Sequence, residues 1–263
     1  MDYKMVRIDK LNIIDGKAYF GDKLFNGVGI EINGAYVINK YDYSDGIRVK
    51  ENSSWVQNSE LKILKSAVNY IDESELEDEE IIPGAYFQGK PFVGLMFEFY
   101  PSGLLKSEEY TDGEDTYGME WYDTGQKRLF IDKDYSTTEW DKDGGILNVT
   151  RGDFSISFKN KKLQSLILWK EADLSEYKFV ADEMLNLVGG GVNDESILQI
   201  ESLENVRKLI LSKTKLTSKS LSYFNQQALE YLDTSSNIEL SDKDIRQFIN
   251  EHCDWLNRDE FAN

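Results

Sequence analysis

The first 160 residues alternate apolar and polar positions in short runs that end in polar clusters containing glycine. The stretch "FEFYPSGLLKSEEY", which begins at Phe97, shows the pattern: an alternating run, a polar cluster with glycine, and a second run. Alternation places every second side chain on one face of a strand. Glycine supplies the positive φ that a tight hairpin turn needs. The pattern therefore predicts consecutive antiparallel β-hairpins with turns at Gly103, Gly125 and Gly144.

The same region repeats itself. Residues 20–46 align without a gap with residues 87–113, and eight of the 27 positions are identical. A shorter motif, Glu followed by an aromatic residue, three further residues and Gly, begins at Glu98, Glu120 and Glu139, and Glu31 aligns with the first of them. Because one hairpin cannot bury its own apolar face, the copies are predicted to build one elongated sheet. Its core is predicted to include Phe97, Phe99, Trp121 and Trp140. The pattern assigns no role to the recurring glutamates.

Three stretches, "IDGKAYFGDKLFNGVGIE", "GKPFVGLMFEFYPSGLLKSEEYTDG" and "GMEWYDTGQKRLF", resemble the bacterial variant of the MORN repeat, in the group described as antitoxin-like. The resemblance covers roughly residues 8–150 and implies a hairpin-repeat sheet. It also implies a role like that of the immunity proteins encoded beside bacterial polymorphic toxins. The segment near 47–83 departs from a tandem array and is interpreted as an acidic insertion.

From Leu163 onward the pattern changes to short L-x-L strands, each followed by a polar turn and by apolar spacing suited to a helix. The strand cores centre on Ile167, Asn186, Ile210 and Asp233, the last three at intervals of 24 and 23 residues. This period resembles a leucine-rich repeat solenoid with one parallel strand and one helix in each turn. The predicted helix N-caps are Asn193, Thr217 and Ser241, and the predicted capping helix buries Ile245, Phe248, Ile249 and Trp255.

Such arcs commonly bind partners on the strand side, at positions between the buried leucines. The residues predicted to point outward there are Ile167, Trp169, Lys170, Asn186, Lys208, Ile210, Lys213, Tyr231 and Asp233. Exposed aromatic side chains among mixed charges favour a protein-binding surface. In the alternative interpretation, Trp169 and Tyr231 pack against the hairpin domain.

The formal net charge of the chain is -18, which opposes binding to nucleic acid and to anionic lipid and favours basic protein partners. Seven of the nine residues from Asp72 to Glu80 are acidic. This run is either a solvated loop or a contact for a basic partner. The residues predicted to make that contact are Asp72, Glu73, Glu75, Glu77 and Asp78.

The sequence offers few residues that could form a catalytic or metal-binding site. The only histidine, His252, adjoins the only cysteine, Cys253, and neighbours on a helix point too far apart to act as a nucleophile and base. One residue of each type leaves no zinc site of the usual ligands, and we predict no metal and no cofactor. No run is long and apolar enough for a membrane span, and the amino-terminal residues lack the apolar centre of a secretory signal, so we expect a cytoplasmic protein.

The predicted fold class is α+β. An antiparallel β-hairpin repeat sheet covers residues 1–158, and a leucine-rich repeat α/β solenoid with a C-terminal capping helix covers residues 159–263. The predicted function is that of a non-enzymatic immunity protein, monomeric when free, which neutralises a cognate toxin by direct binding. A toxin with a basic active site, such as a nuclease, fits the acid excess. The alternatives are a general interaction scaffold without a toxin partner and, less favoured, an enzyme with an unrecognised carboxylate site.

Overall fold

A computed structural model describes residues 4–51, 61–71, 84–113, 115–177, 179–224, 229–237, 240–241 and 243–247. The chain divides into two compact units, Met1–Gly144 and Gly145–Asn263. Both units consist mostly of β-strands. None of the helices among the described residues is long and apolar enough to cross a membrane.

Within the residues that the structure describes, unit 1 has sixteen strands and two 3-10 helices. In chain order they are β1 (Lys4–Arg7), η1 (Ile8–Lys10), β2 (Asn12–Ile14), β3 (Lys17–Phe20), β4 (Lys23–Leu24), β5 (Gly27–Asn33), β6 (Tyr36–Ser44), β7 (Ile47–Glu51), β8 (Lys62–Leu64), η2 (Lys65–Ala67), β9 (Asn69–Ile71), β10 (Gly84–Phe87), β11 (Lys90–Pro91), β12 (Gly94–Phe99), β13 (Leu105–Thr111), β14 (Thr116–Trp121), β15 (Lys127–Ile131) and β16 (Thr137–Trp140).

The repetition seen in the sequence is a structural duplication that is longer than the aligned segment. In the first copy β1 pairs in parallel with β5, and β5, β6 and β7 form an antiparallel meander, while β2, β3 and β4 form a small separate sheet. In the second copy β8, β12, β13 and β14 repeat the first arrangement, and β9, β10 and β11 repeat the small sheet. The stretch interpreted as an insertion, 47–83, therefore contains the last strand of one copy and the first strands of the next.

The copies differ in length at two places. Ile14 and Lys17 face each other across the two-residue turn between β2 and β3, whereas Ile71 and Gly84 flank the acidic residues 72–83. The hairpin between β12 and β13 is longer by one residue, because Gly27 lies opposite Tyr43 but Gly94 lies opposite Thr111. The gapless alignment therefore places the second strand of this hairpin out of register by one residue.

The first strand of each copy contacts the hairpin turn of the other copy. The amide of Arg7 donates to the carbonyl of Gly103 at 2.9 Å, and the amide of Leu64 donates to the carbonyl of Ala35 at 2.7 Å. Val6 and Ile63, at equivalent positions, bridge to Leu104 and Tyr36. The exchange is reciprocal, so unit 1 has approximate internal two-fold symmetry.

Burial follows the same symmetry. The two copies share one central cluster formed by Val28, Ile30, Val37, Leu95, Phe97 and Leu105. Each copy also has a flanking cluster beneath its small sheet. The flanking clusters are Val6, Leu11, Ala18, Phe25 and Leu104 in the first copy, and Ile63, Val68, Ala85, Phe92 and Met96 in the second. The paired sheets β5–β6 and β12–β13 are therefore covered on both faces.

Unit 2 begins as a meander and continues as a coil. Its elements are β17 (Ile146–Arg151), β18 (Phe154–Lys159), β19 (Lys162–Leu168), β20 (Phe179–Val188), α1 (Asp194–Ile197), β21 (Ile200–Glu201), η3 (Leu203–Asn205), β22 (Lys208–Ser212), α2 (Ser218–Leu221) and β23 (Tyr231–Ser236). β17, β18 and β19 are antiparallel, whereas β19, β20, β22 and β23 form a parallel ladder. The strand cores expected from the L-x-L pattern lie in this ladder.

The coils enclose one leucine-rich core that includes Leu166, Leu187, Leu209 and Leu232. The glycines after β20, 189–191, make the bend of one coil. Gly189 has φ +98°, and a Cβ at that position would lie 2.2 Å from the backbone oxygen of Leu168. Only glycine fits where the two chain segments approach so closely.

The predicted fold class is wrong. The structure is mostly β with a β-solenoid of stacked coils, and it is not a hairpin sheet joined to an α/β leucine-rich solenoid with a capping helix. The apolar spacing that predicted a helix in each turn yields four-residue helices, α1 and α2, which Asn193 and Thr217 cap through their side chains. After one turn the chain extends again, because buried positions such as Ile200 and Leu203 continue the core in β21 and η3. Of the predicted capping helix, 243–247 are helical and Ile245 packs on the core, while Phe248, Ile249 and Trp255 lie outside the described residues.

Candidate protein-binding face

The sheet of unit 2 buries the side chains of one face and leaves those of the other face half-buried or exposed. Alternate side chains point into the leucine core, and the side chains between them form what we call the open face. The open face consists of three cross-strand rows. These are Asn148, Ser157, Ser165, Asn186, Ile210 and Asp233; then Thr150, Ser155, Ile167, Val188 and Ser212; then Met184, Lys208 and Tyr231.

The structure brings together four of the predicted partner-binding residues. Lys208 lies directly opposite Tyr231, and Ile210 lies directly opposite Asp233, all on the open face. Tyr231 is 48% exposed. The phenol and the lysine stand at the start of their strands, beside Met184 of β20.

Trp169 is also exposed, at 53%, but it lies elsewhere. It follows the last residue of β19, where its amide donates to the carbonyl of Asp153 at 3.0 Å. Lys208 and Tyr231 begin their strands, and the ladder is parallel, so Trp169 is at the opposite end of the strands. The predicted acidic contacts Asp72, Glu73, Glu75, Glu77 and Asp78 lie outside the described residues.

A cavity of about 660 Å³ adjoins the open face at the starting ends of the parallel strands. It is lined by Lys159, Asn160, Lys162, Gln164, Asp182, Glu183, Met184, Arg207, Lys208 and Glu230. Of these, sequence reasoning identified only Lys208. The available signal was "KNKK" at 159–162, a dense cluster of positive charge in a strongly acidic chain.

The open face is held in register by contacts between successive coils. The Asp194 carboxylate in α1 accepts hydrogen bonds from the amide of Thr217 at 2.9 Å, from its hydroxyl at 2.7 Å, and from the hydroxyl of Ser220. Burial acts to raise the pKa of Asp194, but these hydrogen bonds and the charge of Lys219 outweigh burial and leave the pKa lowered. One turn further, the Asn237 amide donates to the Thr214 hydroxyl at 2.7 Å. These links fix β20, β22 and β23 relative to one another.

Three of the four recurring glutamates of unit 1, Glu31, Glu98 and Glu120, contact a side chain of the neighbouring strand. Glu98, Glu120 and Glu139 stand in one cross-strand row on alternate strands. Glu98 pairs with Lys106 and Glu120 with Arg128, each at 2.7 Å, and each base comes from the neighbouring strand of the same hairpin. Glu31 instead accepts a hydrogen bond from the Tyr41 hydroxyl at 2.9 Å.

Candidate reaction centres gain no support from the geometry. Within the described ranges, no group of three or more His, Cys, Asp or Glu side chains is placed to hold a metal ion. His252 and Cys253 lie outside those ranges. Comparisons with family models, with curated proteins and with solved structures find no match. The assignment of a site therefore depends on the geometry of the chain itself.

Proposed function

We propose that this protein binds another protein through the open face of unit 2. The observation that carries the proposal is the exposed row of Met184, Lys208 and Tyr231 on a sheet whose other face is fully buried. Tyrosine contributes large contact area with little loss of conformational freedom, and the flexible methionine can adapt its shape to a partner. A sheet locked by links between coils presents both side chains without reorganisation of the backbone.

The size and chemistry of the face suit a protein better than a small ligand. Six strands at about 4.8 Å spacing span roughly 24 Å, close to the width of a standard protein interface. Most of its side chains are hydroxyls, amides and aliphatic groups, with Lys208 and Asp233 as its charges. A partner would recognise such a surface through its shape and through hydrogen bonds. Protein surfaces that bind nucleic acid are instead strongly basic.

The narrower form of the proposal is an immunity protein that neutralises a bacterial toxin. Its support is the net charge of -18, which attracts basic surfaces, together with the resemblance to antitoxin-like MORN repeats. In this form the protein acts in the cytoplasm as a stoichiometric inhibitor and not as an enzyme. Co-expression with the toxin domain encoded by the neighbouring gene should restore growth, and toxicity that persists beside an intact, soluble inhibitor would reject this form.

Site-specific photo-crosslinking tests the broader proposal. A photoreactive amino acid at Tyr231 in the full chain, expressed in its source organism, should give one discrete adduct that mass spectrometry identifies. Tyr223 is the matched control, because it is 36% exposed and lies just after α2, away from the open face. The substitution Ile210→Asp should abolish the adduct. Equal adducts from both positions, or an adduct unaffected by Ile210→Asp, would refute binding at this face.

A further inference from the structure

The cavity beside the open face carries an excess of basic side chains although the chain as a whole is acidic. Its lining includes four bases, Lys159, Lys162, Arg207 and Lys208, against three acids. We call these four residues with Asn160 and Gln164 the basic trough. One acid, Glu230, is already paired with Arg207 at 3.0 Å. The positive charges of the three lysines therefore remain available to a ligand in the cavity.

Two of these lysines are held together against their mutual repulsion. Lys159 and Lys162 lie directly opposite each other at the tip of the β18–β19 hairpin. The two residues between them, Asn160 and Lys161, both have positive φ, at 51° and 63°, which fixes a tight turn. Like charges directly opposite destabilise a strand pair. Among the described residues, no ion pair neutralises Lys159, Lys162 or Lys208.

The trough also offers unused hydrogen-bond donors. The side-chain amides of Asn160 and Gln164 have no hydrogen bond to any described residue, although both line the cavity. Ammonium and amide donors converging on one space match the acceptor-only oxygens of carboxylates. The acids Asp182 and Glu183 on the same lining oppose a densely charged polyanion such as nucleic acid, and they favour a ligand with a few spaced negative charges.

The trough and the open face are continuous. Met184 and Lys208 line the cavity and also belong to the exposed row with Tyr231. A protein seated on the open face therefore extends over the trough. We propose that the basic trough binds an acidic segment, with spaced Glu or Asp side chains, of the protein that docks on the open face. This inference rests on the proposed function and adds a requirement for carboxylates on the partner.

Peptide binding to the full chain tests the trough separately. The probe is a fluorescein-labelled acidic peptide of eight residues in which Glu alternates with Ser. Fluorescence anisotropy is the readout, with an oligothymidylate of equal length for comparison. We expect the acidic peptide to bind, with affinity that falls as salt rises from about 20 to 300 mM, and oligothymidylate to bind much more weakly. The double substitution Lys159→Glu with Lys162→Glu should lower the affinity for the acidic peptide by about tenfold or more.

The matched control is Lys17→Glu with Lys23→Glu, two exposed lysines of unit 1 whose replacement should leave the affinity for the acidic peptide unchanged. Lys159→Gln with Lys162→Gln gives a milder version, and thermal melting confirms that each variant folds. Failure of the acidic peptide to bind, or equal loss in trough and control variants, would overturn the trough assignment. If the Tyr231 adduct still forms in that case, the proposed function survives without the trough.

Discussion

The β5–β6 sheet of unit 1 and the parallel ladder of unit 2 use similar strands in opposite ways. The first has the central cluster on one face and a flanking cluster on the other. The second has the leucine core on one face, and no described core cluster includes a residue of its open face. A sheet covered on both faces serves as a scaffold, whereas a sheet covered on one face has a surface left for a partner.

The polar side chains of the two sheets differ in burial as a consequence. In unit 1, Lys40 and Glu108 are each only 4% exposed, and their charges meet at 2.6 Å inside the central cluster. Lys40 belongs to β6 and Glu108 to β13, at corresponding positions of the two copies. The ion pair therefore links the two copies. In unit 2, the polar residues of the open face sit between buried leucines without such enclosure. Polar residues of alternating strands therefore contribute more to the free energy of unfolding in unit 1 than on the open face of unit 2.

The largest expected effect comes from breaking the buried pair. Glu108→Leu removes the carboxylate that pairs with the buried Lys40 ammonium and should lower the free energy of unfolding by about 3 to 5 kcal/mol. Lys40→Met combined with Glu108→Leu should restore stability to within about 1 kcal/mol of the original. Chemical denaturation of both variants measures this, and a double variant as unstable as the single one would contradict it.

The same variant has a predictable pH dependence. Burial lowers the pKa of Lys40, and the Glu108 charge partly opposes that lowering. Removing the carboxylate lowers the pKa further below its ordinary value, so the unfolded chain holds this proton more tightly than the folded chain. The destabilisation by Glu108→Leu should therefore shrink as pH rises from neutral toward the ordinary lysine pKa. A deficit that stays constant over this range would show that removing the Glu108 carboxylate does not change the pKa of Lys40.

The next largest change in stability is expected from a comparison of two neighbouring residues of β20. Leu187 is fully buried in the core, and its replacement by Ala should cost about 2 to 5 kcal/mol. Its neighbour Asn186 belongs to the open face, and its side-chain oxygen has no hydrogen-bond partner among the described residues. Asn186→Ala should therefore change stability by less than about 0.5 kcal/mol. Similar losses for both substitutions would mean that the open face is part of the core.

The smallest effect is expected where the two copies of unit 1 differ. Residues 72–83 join β9 to β10, and Asp15 with Gly16 make the same connection between β2 and β3. Replacing 72–83 with Asp-Gly should change the free energy of unfolding by no more than about 1 kcal/mol, because loop length contributes weakly. Loss of cooperative unfolding would show that the acidic residues are needed for the fold. If stability is retained, slower association with a basic partner at low salt would implicate them in binding.

Part of this architecture could be predicted from the sequence. Gly103, Gly125 and Gly144 have positive φ as expected, because the requirement is local. The strand cores of unit 2 were also predictable, since a repeat period shows in the residues that it buries. Chain topology was not, because β1 and β8 are too short to show alternation and their parallel partners lie far along the chain. The apolar spacing predicted one helix in each coil, but α1 ends after four residues because the chain continues into the core with Ile200 in a strand.

The candidate site was predictable only in part. Lys208, Ile210, Tyr231 and Asp233 follow from the period, because equivalent positions of successive coils stand side by side. The trough was not predictable, since it joins the β18–β19 hairpin to coils that are distant in sequence. The burial of Lys40 was likewise hidden, because its position in an alternating run resembles that of any solvated strand lysine.

The most direct test of the central claim is the affinity of the crosslinked partner for two variants of the full chain. Ile210→Asp introduces a charge at the middle of the open face, and Tyr223→Asp introduces the same charge away from it. We predict that Ile210→Asp weakens binding by about 30-fold or more, as expected for a central interface residue worth about 2 kcal/mol. Tyr223→Asp should leave affinity within about twofold, as for a residue outside the contact. Equal affinities for the two variants would contradict binding through the open face.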